Sequence, residues 1–190
     1  MSSGAQEFVG RAGLKLDAAM EAFALDVRGG VCADFGCNVG GFTDCLLRRG
    51  AAKVYAVDTG YGQLAWKLRK DARVTAMERT NALYCPAPEP VDAVVIDVAW
   101  TPQELIVPAA MRWLRPGGRI VSLLKPHYEL AKMQRLKPGG PLAPGQNDAV
   151  CLEICGRLAR LGCQVRAITR CRLKGKGGNV EFCLLIGPPQ

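Results

Sequence analysis

The chain has 190 residues, enough for one domain with a full hydrophobic core, and its 49% hydrophobic and 22% charged residues exclude a disordered or fibrous protein. The longest apolar runs, 93–96 and 120–124, are far too short to cross a bilayer, and residues 1–9 lack a basic region followed by an apolar stretch, so a soluble, cytoplasmic protein without a secretory signal is expected. A formal net charge of +8 favours a polyanionic partner.

Apolar runs and the breakers between them predict alternating helices and strands. Helical spacing over residues 14–25 comes first, followed by a buried strand at 31–35 and a helix at 41–49 that ends on Gly50. A second strand at 54–57, a short helix at 64–69 and a third strand at 74–77 lead through a Pro-rich turn to a fourth strand at 93–97. A helix over 103–114 stops at Pro116-Gly117-Gly118, and residues 119–124 form the fifth strand. Beyond a Pro/Gly-rich loop at 137–145, a helix at 148–161 precedes strands at 164–170 and 180–186, whose short connection makes them antiparallel neighbours. The expected fold is α/β: a mostly parallel seven-stranded sheet with a C-terminal antiparallel hairpin and helices on both faces, in a single domain over 1–190.

Nine cysteines include no CxxC pair, and Cys151 and Cys155 lie four apart in a predicted helix. With one histidine in the chain, this pattern predicts reduced, buried thiols and no metal site.

The segment Asp34-Phe35-Gly36-Cys37-Asn38-Val39-Gly40-Gly41-Phe42 lies where a strand turns into a helix, and glycines there let a ligand approach the backbone. Asp58 ends the second strand, where a carboxylate accepts hydrogen bonds from the ribose hydroxyls of an adenosine. The loop departs from GxGxxG because Asn38 replaces the middle glycine, the one that permits contact with a pyrophosphate. Asp34 would repel phosphates but suit a cationic methionine amine, which favours S-adenosylmethionine and leaves a dinucleotide as the alternative.

Several stretches together resemble one family. They are Arg11-Ala12-Gly13-Leu14-Lys15-Leu16, the glycine loop, Val54-Tyr55-Ala56-Val57-Asp58, Tyr61-Gly62-Gln63-Leu64, Glu78-Arg79-Thr80-Asn81, Val95-Ile96-Asp97-Val98, Lys125-Pro126 and Asn179-Val180-Glu181-Phe182. The chain resembles the TlyA-type family within the FtsJ-like class of RNA ribose 2′-O-methyltransferases, from about Phe8 to Ile186. The resemblance implies a Rossmann-like class I methyltransferase that uses S-adenosylmethionine on RNA, ribosomal RNA or a ribosomal subunit being the expected partner. It also implies a catalytic tetrad of Lys15, Asp97, Lys125 and Glu181. Lys125 takes the proton-accepting or hydroxyl-orienting role, and Asp97 and Glu181 hold the lysines in place.

Weaker expectations attach to other positions. Asn81 binds the adenine edge or serves as a turn residue, and Phe42 packs beside the cofactor or faces the core. His127 is read as a substrate-loop residue rather than a base, and Tyr61, Trp66 and Trp100 as core or cofactor-pocket residues rather than base-stacking platforms. RNA contact is expected from Lys132, Arg135 and Lys137 in the loop, Arg172, Lys174 and Lys176 in the hairpin, and Arg11 and Lys67. TlyA-type proteins normally carry an N-terminal S4 RNA-binding domain, for which no stretch of this sequence fits. A non-catalytic RNA-binding or ribosome-assembly protein that keeps the fold, and an NAD-linked oxidoreductase, are the alternatives in other classes.

Overall fold

A computed structural model of the chain describes residues 8–135, 137 and 140–187. Seven strands, β1 (Val31–Phe35), β2 (Lys53–Val57), β3 (Val74–Met77), β4 (Val91–Ile96), β5 (Leu114–Leu124), β6 (Gln164–Arg170) and β7 (Phe182–Gly187), form one sheet in the order β3-β2-β1-β4-β5-β7-β6. Strands β1 to β5 pair in parallel, while β7 runs antiparallel to both β5 and β6. The expected C-terminal hairpin is therefore present, with its second strand inserted between β5 and its first.

Both faces of the sheet are covered, which is why the central strands are near-continuous runs of β-branched and small apolar residues. In β4 the alternation splits the side chains between two cores. Val95 joins Leu16 and Met20 of α1 (Arg11–Ala22) with Phe42 and Leu46 of α2 (Gly41–Arg48), whereas Ile96 joins Ile106 of α4 (Gln103–Met111) and Ile154 of α6 (Gln146–Arg160). A short helix, α3 (Trp66–Arg69), and α5 (Pro126–Met133) complete the helical layers. No helix among the described residues is long and apolar enough to cross a membrane.

The first helix lies three residues earlier than expected, at 11–22 rather than 14–25, and three further elements differ from the sequence expectation. The fourth helix stops at Met111 rather than 114, because Trp113 turns inward to pack edge-on against Phe35 at 5.0 Å and Leu114 already pairs with Val91. The fifth strand accordingly begins at Leu114, with Pro116-Gly117-Gly118 in a register shift between the Val91 and Ala93 pairings instead of outside the strand. Residues 126–133, expected as part of a loop, are helix α5. Pro126 at its first turn supplies a pre-set φ and lacks only an N–H that would have gone unpaired.

Candidate active site

The strand order reverses beside β1, whose neighbours β2 and β4 lead away in opposite directions, and ligands of open α/β sheets bind outside the carboxyl ends of the strands at such a point. A cleft of about 360 Å³ lies there, lined among others by Gly36, Asn38, Asp58, Asn81, Asp97 and Trp100. Gly36 has φ +84°, and a Cβ on it would stand 2.8 Å from the Asp97 carbonyl oxygen. The residue type thus lets the loop after β1 lie directly on the segment after β4.

Asp58 organises the loop. One of its carboxylate oxygens accepts a hydrogen bond from the Asn38 amide at 2.8 Å and the other from the Gly60 amide at 2.7 Å, while further lone pairs stay available to a ligand in the cleft. Asn81 also faces the cleft, yet its side-chain oxygen accepts from the Leu83 amide at 3.0 Å, so the turn reading describes its carbonyl end. Asp34 lies wholly buried behind the loop, with Oδ2 accepting from the Thr43 hydroxyl at 2.7 Å and Oδ1 without a partner among the described residues. Burial raises its carboxyl to about 7, against the Thr43 bond and assisted by the charges of Asp97 and Asp58. A buried, orphaned carboxylate oxygen under the loop suits a cation and repels phosphate, and together with Asp58 it fits a cationic adenosine compound better than a dinucleotide.

Two ion pairs follow, of which the first reaches this cleft through Asp97. Lys125 caps the start of α5 directly after β5, and its Nζ lies 2.6 Å from Asp97 Oδ1 and donates to the Val98 carbonyl oxygen at 3.2 Å. Lys15, on the first helix, pairs with Glu181 Oε2 at 2.5 Å. Glu181, only 4% exposed, immediately precedes β7. The pairs share one electrostatic environment: burial pushes the Asp97 carboxyl up, Lys125 beside it opposes this, and Glu181 and Lys15 act on it in opposite directions. Sequence reasoning missed Gly175, against which the Glu181 carboxylate rests so closely that any Cβ would collide with it. It also missed Thr43; a hydroxyl one turn into the helix after a glycine loop was the available signal.

Other expectations need correction. Of the two readings of Phe42, the core-facing one describes its position and the cofactor one does not: it is buried with Leu64 and Leu68 and does not line the cleft, because the helix turns that face toward the sheet. Gly40 and Gly41 shape the turn into α2 behind the cleft. Tyr61 and Trp66, expected in the core or the pocket, are 68% and 69% exposed and lie under Arg79 and Lys70 respectively. Trp100 does line the cleft, edge-on to Tyr128. His127 belongs to the first turn of α5 rather than a loop; it is buried, and burial with the nearby Lys125 and Lys132 holds its imidazole below the usual range.

The basic residues divide similarly. Arg11, Arg135, Lys137, Arg172, Lys174 and Lys176 are exposed. Lys67 is exposed as well, and it pairs with Asp44 at 3.2 Å. Lys132 is in α5, pairs with Glu129 at 3.7 Å and lies 5.4 Å from the centre of the Trp100 ring.

Residues 8–187 match the family of FtsJ-like methyltransferases. The chain belongs to that family. Among curated relatives, this FtsJ-like methyltransferase is 42% identical over 184 residues to the 16S/23S rRNA (cytidine-2′-O)-methyltransferase TlyA of Mycobacterium tuberculosis, covering 94% of this chain and 68% of the relative. It is 37% identical to YqxC of Bacillus subtilis, provisionally named an rRNA methyltransferase, over 96% of this chain and 66% of that one. A solved structure from Streptococcus thermophilus with a provisional hemolysin name superimposes with a TM-score of 0.90 at 34% identity, covering 99% of this chain and 70% of the other. The FtsJ-like chain thus spans about two thirds of the length of these proteins. Its mostly parallel seven-stranded sheet with antiparallel C-terminal strands is the Rossmann-like methyltransferase fold expected from the sequence.

Proposed function

We propose that the chain is one methyltransferase domain that moves a methyl group from S-adenosylmethionine to a ribose 2′-hydroxyl of RNA, with ribosomal RNA as the substrate class. The observation that carries this reading is the pair of lysine–carboxylate contacts: Lys125–Asp97, whose carboxylate lines the cleft that Asp58 also lines, and Lys15–Glu181, whose charges act on Asp97. The names of the TlyA and YqxC relatives support RNA as the acceptor.

S-adenosylmethionine, when bound, supplies an electrophilic methyl group on a sulfonium centre. Asp58 would hold its ribose, and the buried charge of Asp34 behind the Gly36 to Gly41 loop would favour its ammonium. Trp100 forms part of the cleft wall. A ribose hydroxyl is a weak nucleophile near neutral pH, so holding it in line for displacement supplies much of the rate gain. Lys125, held by Asp97, orients this hydroxyl by donating a hydrogen bond to it as the ammonium; only as the neutral amine would it receive the hydroxyl proton. Lys15 and Glu181 supply the second pair, whose charges act on Asp97 in opposite directions. Arg172, Lys174 and Lys176 would hold RNA phosphates.

Labelled methyl transfer to unmodified ribosomal subunits and to free ribosomal RNA, followed by mapping of the modified nucleotide, tests the proposal. Lys125→Ala and Asp97→Ala should each lower transfer by at least about 100-fold while the protein stays folded. Wild type that binds S-adenosylhomocysteine yet transfers nothing to any RNA would instead mark a non-catalytic RNA-binding protein. Stabilisation by NADH, and not by S-adenosylhomocysteine, in a thermal-shift comparison would mark an oxidoreductase.

A further inference from the structure

A second cleft of about 360 Å³ opens between α1 and the end of β6, and it shares no lining residue with the first. Lys15, Arg172, Cys171 and Cys183 contribute to its wall. The two sulfur atoms stand 3.6 Å apart, although the cysteines are 12 residues apart in sequence. Cys183 lies in β7 opposite Thr169 and is fully buried, while Cys171, just past β6, is partly exposed to the cleft. The Cys171 amide donates to the Glu181 carbonyl oxygen at 2.9 Å, so this sulfur is anchored to the residue whose carboxylate holds Lys15.

We propose that Cys171 and Cys183 form a reversible disulfide that misaligns the Lys15–Glu181 pair and so switches the site off under oxidising conditions. The consequence for catalysis rests on the methyl-transfer reading; the bond itself does not. With a peroxide as oxidant, the Cys171 thiolate attacks one peroxide oxygen, the O–O bond breaks, and the leaving oxygen departs as water after taking a proton. The Cys183 sulfur then attacks the sulfenic sulfur of Cys171, the S–O bond breaks, and the hydroxide leaves as a second water with the Cys183 proton as the S–S bond forms. Each sulfur loses one electron and the peroxide gains two. A dithiol reductant reverses the step.

Register gives the bond its lability. Cys171 faces Glu181 across the ladder, so Cys171 and Cys183 are diagonal partners, and such positions in antiparallel pairs have Cα atoms about 7–8 Å apart. Relaxed disulfides span at most about 6.8 Å. The sulfurs must also close from 3.6 Å to about 2.05 Å, which draws Cys171 toward Cys183 and off its ladder partner Glu181. A bond formed under such strain is readily reduced, as a regulatory one must be. The other neighbouring thiols, Cys151 and Cys155, lie one turn apart within α6 and serve as an internal control.

The full chain, reduced and then treated with hydrogen peroxide, would be alkylated, digested and mapped, with acylation of Lys15 measured in parallel. A peptide linking Cys171 to Cys183, greater Lys15 reactivity and a fall in methyl transfer of at least about tenfold, all reversed by dithiothreitol, are expected. Cys171→Ser should keep its reduced rate after peroxide, and Cys151→Ser should behave as wild type. The switch is overturned if no such linked peptide forms, if it forms with Lys15 reactivity unchanged, or if Cys171→Ser loses its rate equally. Should neither state transfer methyl groups while the linked peptide and the Lys15 change both appear, the switch stands and the methyl-transfer reading falls.

Discussion

Asp34 shows how one buried carboxylate ties stability to ligand binding. Burial raises it from 3.8 to about 7, so between those pH values the folded chain retains a proton that the unfolded chain has lost. This contribution makes the ligand-free protein less stable as pH rises through that window. The ammonium of a bound ligand favours the ionised form, so affinity for S-adenosylhomocysteine should weaken about tenfold for each pH unit below about 7 and level off above it. Isothermal titration at several pH values would show this slope, and Asp34→Asn should flatten it and weaken binding at pH 8. Gly175 acts by what it lacks: Gly175→Ala places a methyl group against the Glu181 carboxylate. That variant should lose at least about tenfold in methyl transfer with a nearly unchanged melting temperature, measured by single-turnover kinetics and circular dichroism.

The joint between α4 and β5 is where local sequence signals and packing part company. Pro116-Gly117-Gly118 reads as a break between elements, and the helical pattern runs on to 114, yet the chain already turns at Trp113. This side chain is 2% exposed, lies edge-on to Phe35 and Tyr55, and donates from its indole nitrogen to the Cys85 carbonyl oxygen at 3.3 Å. The aromatic contacts come from β1 and β2, so no local window could contain them. Trp113→Ala should cost about 3–5 kcal/mol in urea unfolding. α5 escaped notice for the opposite reason: it is short, follows a strand without a linker, and its start is marked by Pro126, a residue that also breaks helices.

At the scale of the molecule, charge is spread unevenly over a sheet whose carboxyl edge carries the site. Arg172, Lys174 and Lys176 are exposed beside the segment that ends at Glu181, whereas Lys67 and Lys132 pair with carboxylates. RNA affinity should therefore fall steeply with salt, and the double variant Lys174→Glu, Lys176→Glu should reduce the slope of log affinity against log salt by about one to two. An equal reduction from Lys67→Glu in a filter-binding titration would contradict this division.

Sequence alone determined the order of the strands and of every helix but α5, because period-2 and period-3.6 apolar patterns are local properties; it singled out Asp34 and Asp58 by their place at strand ends beside a glycine loop, and Lys15, Asp97, Lys125 and Glu181 through short stretches with a family likeness. Only the tertiary structure decided that Lys15 meets Glu181 across 166 residues of chain, that Phe42 faces the core, and that two thiols share one cleft. Contacts between distant segments depend on sheet order, register and the size of what lies between them, and none of these is written in any single stretch of residues.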